Sequence, residues 1–400
     1  MKTAYIIDAV RTPIGKYGGV LSKTRPDDLA ALVIKSLLAR NPRIPKSKIE
    51  DVILGCTNQA GEDNRNVARM ALLLAGLPVE TAGVTINRLC ASGMQAVIDA
   101  SRAIKLDEGD IFIAGGTESM SRAPWIVAKS DTPFGREPQI ADSTIGWRFP
   151  NKKLTEMYFP YSMGETAENV AQKYGINRQE QDEFAYSSQL KYKNAFDQGK
   201  FNDEIIPVSI LQGKKDPLIV TLDEHPRPDV TPEQLSKLKP AFSIDGTVTA
   251  GNSSGINDGA AALIIVSEDI VKQYGLKPKV KILSSAVAGV DPAFMGIGPV
   301  PATRKALKRA GLDISQIDLI ELNEAFSAQS IACIRELGLD ERLINVNGGA
   351  IALGHPLGCS GARIITTLVH EMCRRDDVRY GLATLCIGVG QGAAVIFEKV

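Results

Sequence analysis

Four short segments carry the residue types that nucleophilic acyl chemistry needs. In Asn87-Arg88-Leu89-Cys90-Ala91-Ser92-Gly93 a cysteine stands between a predicted strand and a predicted helix. A thiol at a helix N-terminus sees the positive end of the dipole, so this placement predicts a lowered pKa for Cys90 and an available thiolate. In Ala383-Thr384-Leu385-Cys386-Ile387-Gly388-Val389-Gly390-Gln391-Gly392 a second cysteine ends an apolar run and is followed by alternating glycines. Such a loop exposes backbone N–H groups that can host an oxyanion. It departs from Gly-x-Gly-x-x-Gly, which argues against a nicotinamide site. In Gly354-His355-Pro356 a histidine is wedged between glycine and proline, so its backbone is fixed and its ring is presented as a general base. Asn323, in Glu321-Leu322-Asn323-Glu324-Ala325-Phe326, ends a further apolar strand, where its amide can hold a water or an oxyanion. Each has an ordinary reading alone: a small buried cysteine, a glycine turn, an asparagine cap. Together, Cys, His and Asn at strand ends suit acyl transfer through a thioester. A protease would use the same trio but has no need of a second cysteine at a matched strand end.

Strands and helices must alternate to place these groups. Apolar runs predict strands at 5–10, 52–55, 84–87 and 111–114, the last closed by Gly115-Gly116, and helices at 26–40, 67–75 and 92–104. That alternation predicts a mainly parallel sheet covered on both faces. Between 121 and 249 the composition shifts to Tyr, Trp, Pro and charge, with helical patches at 166–174 and 178–196, so an insertion of mixed loop and helix is expected. Strand character returns at 260–266.

The last part of the chain repeats the first. Ile49-Glu50-Asp51-Val52-Ile53 resembles Ile317-Asp318-Leu319-Ile320, and Ser92-Gly93 recurs as Ser360-Gly361, both 268 residues apart. The shared offset predicts a duplicated βα unit packed about a pseudo-twofold axis. It puts Gly358 at the position equivalent to Cys90, so one copy of the turn supplies the nucleophile and the other serves His355.

Composition excludes several alternatives. Four hundred residues imply more than one core, and 44% apolar with 23% charged residues is ordinary for a globular enzyme. A formal net charge of zero argues against nucleic acid or a membrane surface as partner. Six cysteines without a Cys-x-x-Cys pair, and three histidines without ligand spacing, predict neither disulfides nor a metal site. Gly18-Gly19-Val20-Leu21-Ser22-Lys23-Thr24 fails as a phosphate loop because Ser22 replaces the required glycine. With no leader-like or membrane-spanning run, a cytoplasmic location is expected.

Arg11-Thr12-Pro13-Ile14-Gly15, Gly115-Gly116-Thr117-Glu118-Ser119-Met120-Ser121, Asn323-Glu324-Ala325-Phe326, Gly354-His355-Pro356 and Cys386-Ile387-Gly388 together resemble the thiolase family, over essentially the whole chain. The resemblance implies an α/β thiolase fold: two duplicated halves in a five-layered α/β/α/β/α core with an inserted loop domain. The N-terminal half would be 1–120, completed by 250–275. The loop domain would be 121–249, and the C-terminal half 276–400. It implies a homodimer or homotetramer, with 125–146 as a candidate tetramerisation loop. It implies roles as well. Cys90 would carry the acyl group and His355 would activate it. Cys386 would protonate the departing acetyl-CoA enolate and later help deprotonate CoA. Asn323 would hold a water that, with His355, forms one oxyanion hole, and the N–H groups of Cys90 and Gly388 would form the other. Coenzyme A would be a co-substrate, with no permanently bound cofactor, contacting Leu154, Met163, Arg227, Phe242, Ala250 and Ser254.

Ser162-Met163-Gly164 and Leu357-Gly358-Cys359-Ser360 depart from the pattern of acetoacetyl-CoA-specific members and look like degradative 3-ketoacyl-CoA thiolases. The expectation is therefore CoA-dependent thiolysis of 3-ketoacyl-CoA, as in fatty-acid β-oxidation, to acetyl-CoA and a shortened acyl-CoA through acyl-Cys90. Residues 58–71 and 144–149 look instead like 3-oxoadipyl-CoA thiolases of aromatic degradation, against which Ala91, Cys359 and Gly164 stand. That is the alternative, with acetoacetyl-CoA thiolysis a third. Two rival classes are a decarboxylative condensing enzyme, which would lack the second cysteine, and a non-catalytic acyl-CoA-binding protein.

Overall fold

The computed structural model describes residues 2–400. The first stretch runs β1 (Ala4–Arg11), β2 (Gly15–Lys16), α1 (Pro26–Arg40), β3 (Asp51–Gly55), α2 (Val67–Leu74), β4 (Ala82–Ile86), α3 (Ser92–Lys105) and β5 (Ile111–Ser119). The insertion follows with β6 (Trp125–Val127), β7 (Ile140–Asp142), α4 (Lys152–Met157), α5 (Met163–Tyr174), α6 (Arg178–Asp197), β8 (Val208–Gln212), β9 (Lys215–Val220) and α7 (Pro232–Ser236). The chain then returns through β10 (Asn257–Ser267), α8 (Glu268–Tyr274) and β11 (Val280–Gly289) to α9 (Pro299–Ala310), β12 (Leu319–Leu322) and α10 (Ser327–Leu337). It closes with α11 (Ala350–Leu353), α12 (Leu357–Arg374), β13 (Tyr380–Ile387) and β14 (Gln391–Lys399).

Local signals explain most boundaries. Pro26 opens α1 with Asp27 and Asp28 in its first turn and Arg40 in its last, as the helix dipole favours. Ser162 and Glu165 form a reciprocal cap on α5, and Gly175 ends it in the left-handed region. Asn177 and Glu180 cap α6 in the same way.

The main sheet has ten strands, in the order β12-β13-β14-β11-β1-β10-β5-β3-β4, with β2 paired to β10. It is mixed, not mainly parallel. Only β3 with β4, β3 with β5, and β12 with β13 run parallel. The strands around β1, β10, β11 and β14 are antiparallel. Of these, β1, β10 and β14 are almost fully buried, so their continuous apolar runs look the same in either direction. The glycines at 115 and 116 do not close β5 either, which continues to Ser119. They stand there because a Cβ on Gly115 would lie 2.2 Å from the Ala261 carbonyl oxygen and one on Gly116 would lie 2.0 Å from that of Gly358.

Helices α3 and α12 form a central layer that packs against both halves of the sheet and builds the largest apolar core. Helices α1 and α2 cover the outer face of the first half. Helices α9 and α10 cover the second. The result is five layers, α/β/α/β/α. The insertion keeps its own two-stranded sheets, β6–β7 and β8–β9, apart from the main one.

The 268-residue offset extends beyond the dipeptides. Short 3-10 turns at Lys46–Lys48 and Ile314–Gln316, and strands β3 and β12 starting at Asp51 and Leu319, share it. Similar irregularities in register, though 276 residues apart, fall between Ile6 and Asp8 on β1 and between Ile282 and Ser284 on β11. Gly93 and Gly361 are also equivalent, and each meets the other helix. A Cβ on Gly93 would lie 2.7 Å from the Gly358 oxygen, and one on Gly361 would lie 2.4 Å from the Met94 nitrogen.

Gly93→Ala and Gly361→Ala should therefore each destabilise the fold by about 1–3 kcal/mol through overpacking against backbone. Gly289→Ala is the control, since nothing lies nearer than 3.8 Å to its added methyl. Thermal unfolding of the three variants checks this: equal midpoints would remove the close helix approach from the account.

Candidate active site

The segments singled out by residue type converge on one cavity of about 790 Å³. Its lining includes Cys90, His355, Cys386 and Gly388, together with Met163, Arg227, Phe242, Ala250 and Ser254. Asn323 sits behind this wall, fully buried, with its amide nitrogen 3.5 Å from His355 Nδ1. Leu154 is the exception: it lies on α4, a short helix with no buried residue, and does not line the cavity.

Cys90 occupies the tight connection from β4 into α3. The residue before it, Leu89, holds φ at +47°, a conformation that L side chains rarely adopt. Ser92 stabilises the turn by accepting from the Arg88 N–H at 2.9 Å and donating to the Leu89 carbonyl at 2.6 Å. The backbone N–H groups of Gly388 and of Cys90 itself lie near enough to the Cys90 sulfur to favour its thiolate. Val389, directly after Gly388, is a β-branched residue at φ +61°. Two strained residues thus flank the two cysteine loops where they meet.

The histidine turn is pinned from both sides. The His355 N–H donates to Asn257 Oδ1 at 2.9 Å, and the Gly358 N–H donates to Glu118 Oε2 at 2.8 Å. Gly354 has φ +98°, and a Cβ there would lie 2.5 Å from Asn257 Cγ, so only glycine fits. Glu118 also accepts from the N–H groups of Thr57 at 2.9 Å and Asn58 at 3.1 Å, tying β5 to the start of α12. The neighbouring loop is fixed by Glu324, which accepts from Ser188, Asn345 and the Ile351 N–H. His355 Nδ1 is 2.6 Å from Ser360 Oγ, and that hydroxyl reaches the Pro356 carbonyl at 3.1 Å. If the Ser360 proton goes to Pro356, Nδ1–H donates to Ser360 and the Nε2 lone pair is free.

The electrostatics reverse one expectation. The Cys90 thiol is raised to about 11, not lowered, because enclosure disfavours the thiolate more than the N–H groups of Gly388 and Cys90 favour it. Burial pushes Cys386 well up, and the nearby Cys90 adds to this. His355 is lowered to about 3, chiefly by burial and then by the Arg363 cation. The resting site is thus neutral: two thiols and a neutral imidazole.

The residues that sequence reasoning missed are those that orient the others. Asn257 and Ser360 hold His355, and Glu118 holds its turn. Asn257-Asp258, a polar pair at the start of an apolar strand, was a visible signal for the first. The serine five residues after His355 was another. Lys16, Tyr17 and Met295 also line the cavity and no motif marked them, while Met120 and Ile145 lie in quoted segments that gave them no site role. Among the described residues no helix is long and apolar enough to cross a membrane, and no group of three or more His, Cys, Asp or Glu could hold a metal ion.

A five-layered duplicated fold with two cysteines, a histidine and an asparagine around one cavity defines an acyltransferase class. Family models match along the chain: "Thiolase, N-terminal domain" over residues 4–269 and "Thiolase, C-terminal domain" over 276–399. The chain belongs to the thiolase family. It is 56% identical over 403 residues, covering 100% of both chains, to the 3-oxoadipyl-CoA/3-oxo-5,6-dehydrosuberyl-CoA thiolase of Escherichia coli (strain K12). It is 48% identical, again over 100% of both, to a 3-ketoacyl-CoA thiolase of Idiomarina loihiensis. Among solved structures, human mitochondrial 3-ketoacyl-CoA thiolase in complex with CoA matches with a TM-score of 0.91 at 44% identity, covering 100% of this chain and 98% of the other.

Buried His355 and half-buried His225 set an acid limit on stability. An unfolded imidazole takes up its proton near 6.5, whereas native His355 stays neutral to about 3 and His225 to about 4. Between those values the unfolded chain binds more protons, so stability is lost as pH falls below about 6.5 and is regained above it. His355→Asn should flatten this acid-side decline in the thermal midpoint by about one proton. An unchanged slope would contradict the neutral, buried imidazole.

Proposed function

We propose that the protein cleaves a 3-oxoacyl-CoA by thiolysis, with 3-oxoadipyl-CoA as the favoured substrate. The observation that carries the reaction is the meeting of Cys90, Cys386 and His355 in one cavity beneath the N–H groups of Gly388 and Cys90. His355 Nε2 takes the Cys90 proton as the sulfur attacks the 3-oxo carbon. The resulting oxyanion needs donors, and the water held by Asn323 with His355 supplies one set while the Gly388 and Cys90 N–H groups supply the other. Each well-placed donor is worth roughly 3 kcal/mol. Breaking the C2–C3 bond leaves acyl-Cys90 and the acetyl-CoA enolate, which takes its proton from Cys386. Coenzyme A, deprotonated with the help of Cys386, then attacks acyl-Cys90 and releases the shortened acyl-CoA. For 3-oxoadipyl-CoA the products are acetyl-CoA and succinyl-CoA.

Cys386 suits this role because burial keeps it protonated until an enolate forms beside it. Met163, Phe242, Ala250, Ser254 and Arg227 are assigned to CoA. A Cβ on Gly164 would lie 2.1 Å from the Phe242 ring, so the glycine lets that ring lie against the start of α5. Leu154, exposed and away from the cavity, is assigned to the part of CoA that projects out of it. Exposed Trp125, Val127 and Ile140 on the β6–β7 hairpin suit a contact between copies, and a homodimer or homotetramer is part of the proposal.

The choice of substrate rests on the relatives. Those named for β-ketoadipyl-CoA or 3-oxoadipyl-CoA are 54% and 56% identical, against 48% for the one named for 3-ketoacyl-CoA. This moves the weight from β-oxidation to the alternative weighed in the sequence. General 3-ketoacyl-CoA thiolysis is the second reading, supported by the departures at Ala91, Cys359 and Gly164.

A thiolysis panel of acetoacetyl-CoA, medium- and long-chain 3-ketoacyl-CoA and 3-oxoadipyl-CoA separates these readings. The highest kcat/KM is expected with 3-oxoadipyl-CoA, and a maximum at a long unbranched chain would restore β-oxidation. In the same assay Cys386→Ala should lower kcat by about 10²–10⁴-fold, the range for losing a general acid–base. A fall of less than tenfold would remove Cys386 from proton transfer.

A further inference from the structure

Behind the His355 wall lies a polar group that the thiolysis scheme does not use. Arg363, on α12, is fully buried. None of its three guanidinium nitrogens has a hydrogen-bond partner among the described residues. The acid nearest it, Glu321, which burial raises to about 8, places Oε2 3.6 Å from Nη1, just beyond hydrogen-bond reach, and that oxygen has no partner of its own. Glu321 and Asn323 are two residues apart on β12 and its end, so they face the same side, toward α12. Asn323 meets His355 there, and its Oδ1 is likewise buried and unpartnered. One turn along α12 from Arg363, Thr367 donates to Oε1 of Glu204, whose Oε2 is unpartnered too.

This pattern selects its ligand. Unfilled N–H donors and unfilled acceptor oxygens occur side by side. An anion would satisfy Arg363 but leave the acceptor oxygens of Glu321 and Glu204 facing more acceptors. A metal cation would do the reverse and lie against Arg363. Water both donates and accepts, and buried polar groups without protein partners are ordinarily bridged by it.

We propose that Arg363 and Glu321 enclose a cluster of ordered water running along β12 to the Asn323 amide, and that Arg363 is thereby a positioning residue for the Asn323–His355 pair. The proposal rests on the thiolase reading for its kinetic consequence, but not for the water itself. Water held at Arg363 and Glu321 fixes the Asn323 side chain, which no protein group holds at its oxygen. The Arg363 cation also opposes protonation of His355. The other groups facing His355 are Asn257 from β10, Asn323 from the end of β12, Ser360 from α12, and the Cys90 and Cys386 thiols, with Glu118 reaching the same turn through the Gly358 N–H.

The test has two arms. A high-resolution crystal structure of the intact enzyme should show ordered water within hydrogen-bond distance of the Arg363 guanidinium and of Asn323 Oδ1. A dry cavity, or an ion in place of water, would overturn the proposal whether or not the enzyme is active. In solution, Arg363→Met should lower kcat roughly tenfold or more with KM for CoA little changed, because orientation is lost and substrate binding is not. It should also move the acid limb of the kcat–pH profile upward, and Arg363→Lys should restore part of both. Unchanged kcat and pH profile in folded Arg363→Met would refute the positioning role. If that variant does not fold, Arg363→Lys and the crystal structure decide. Turnover of the unmodified enzyme, measured alongside, shows separately whether the thiolase reading stands.

Discussion

Two buried helices approach each other through glycine, and the rest of the structure depends on that approach. Gly93 on α3 and Gly361 on α12 each admit the backbone of the other helix where a methyl group would collide. The two turns that precede these helices are thereby brought face to face. One turn carries Cys90 and the other follows His355, so a pair 265 residues apart in sequence shares one cavity. The surrounding devices refine this meeting. Glu118 ties β5 to the first turn of α12, Asn257 fixes the histidine backbone, and Glu324 holds the loop before α11.

Enclosure decides the resting chemistry. A helix N-terminus favours negative charge, and two backbone N–H groups lie near the Cys90 sulfur. Burial still outweighs them, so the thiol is raised and the imidazole lowered. In the proposed thiolysis, a neutral thiol–imidazole pair creates charge only during attack, when the carbonyl oxygen enters donors that are already in place. The same logic applies to Cys386, which burial keeps as an acid. An open site with a standing thiolate would be more exposed to oxidation and alkylation without substrate.

Much of this was legible in the residues. Segments 26–40 and 178–196 have apolar spacing and charged ends, and they fold as α1 and α6 almost as read. The duplication was legible because the offset of 268 recurs in several elements. Sheet direction was not. A strand buried on both faces has no alternation to reveal its partner, and the 121–249 insertion separates β5 from its antiparallel neighbour β10. The glycines at 115 and 116 looked like a strand end, whereas Gly115 is demanded by the neighbouring strand β10 and Gly116 by helix α12, which only the fold brings near. Within the site, Cys90, His355, Cys386 and Asn323 stood out by type and place. Their supports Asn257 and Glu118 did not, because each is an acceptor defined by a partner 98 or 240 residues away; Ser360 is five residues from His355 and was missed although its signal is local. The rise in the Cys90 pKa was invisible for the same reason: local sequence shows the helix dipole but not the depth of the cavity.

The central claim is that acyl transfer passes through Cys90. Mixing the enzyme with 3-oxoadipyl-CoA in the absence of free CoA, quenching in acid and mapping the peptides by mass spectrometry tests it directly. The expected result is a succinyl group on the Cys90 peptide with one equivalent of acetyl-CoA released. Acetyl-CoA release with Cys90 unmodified, or with the acyl group on Cys386, would contradict it.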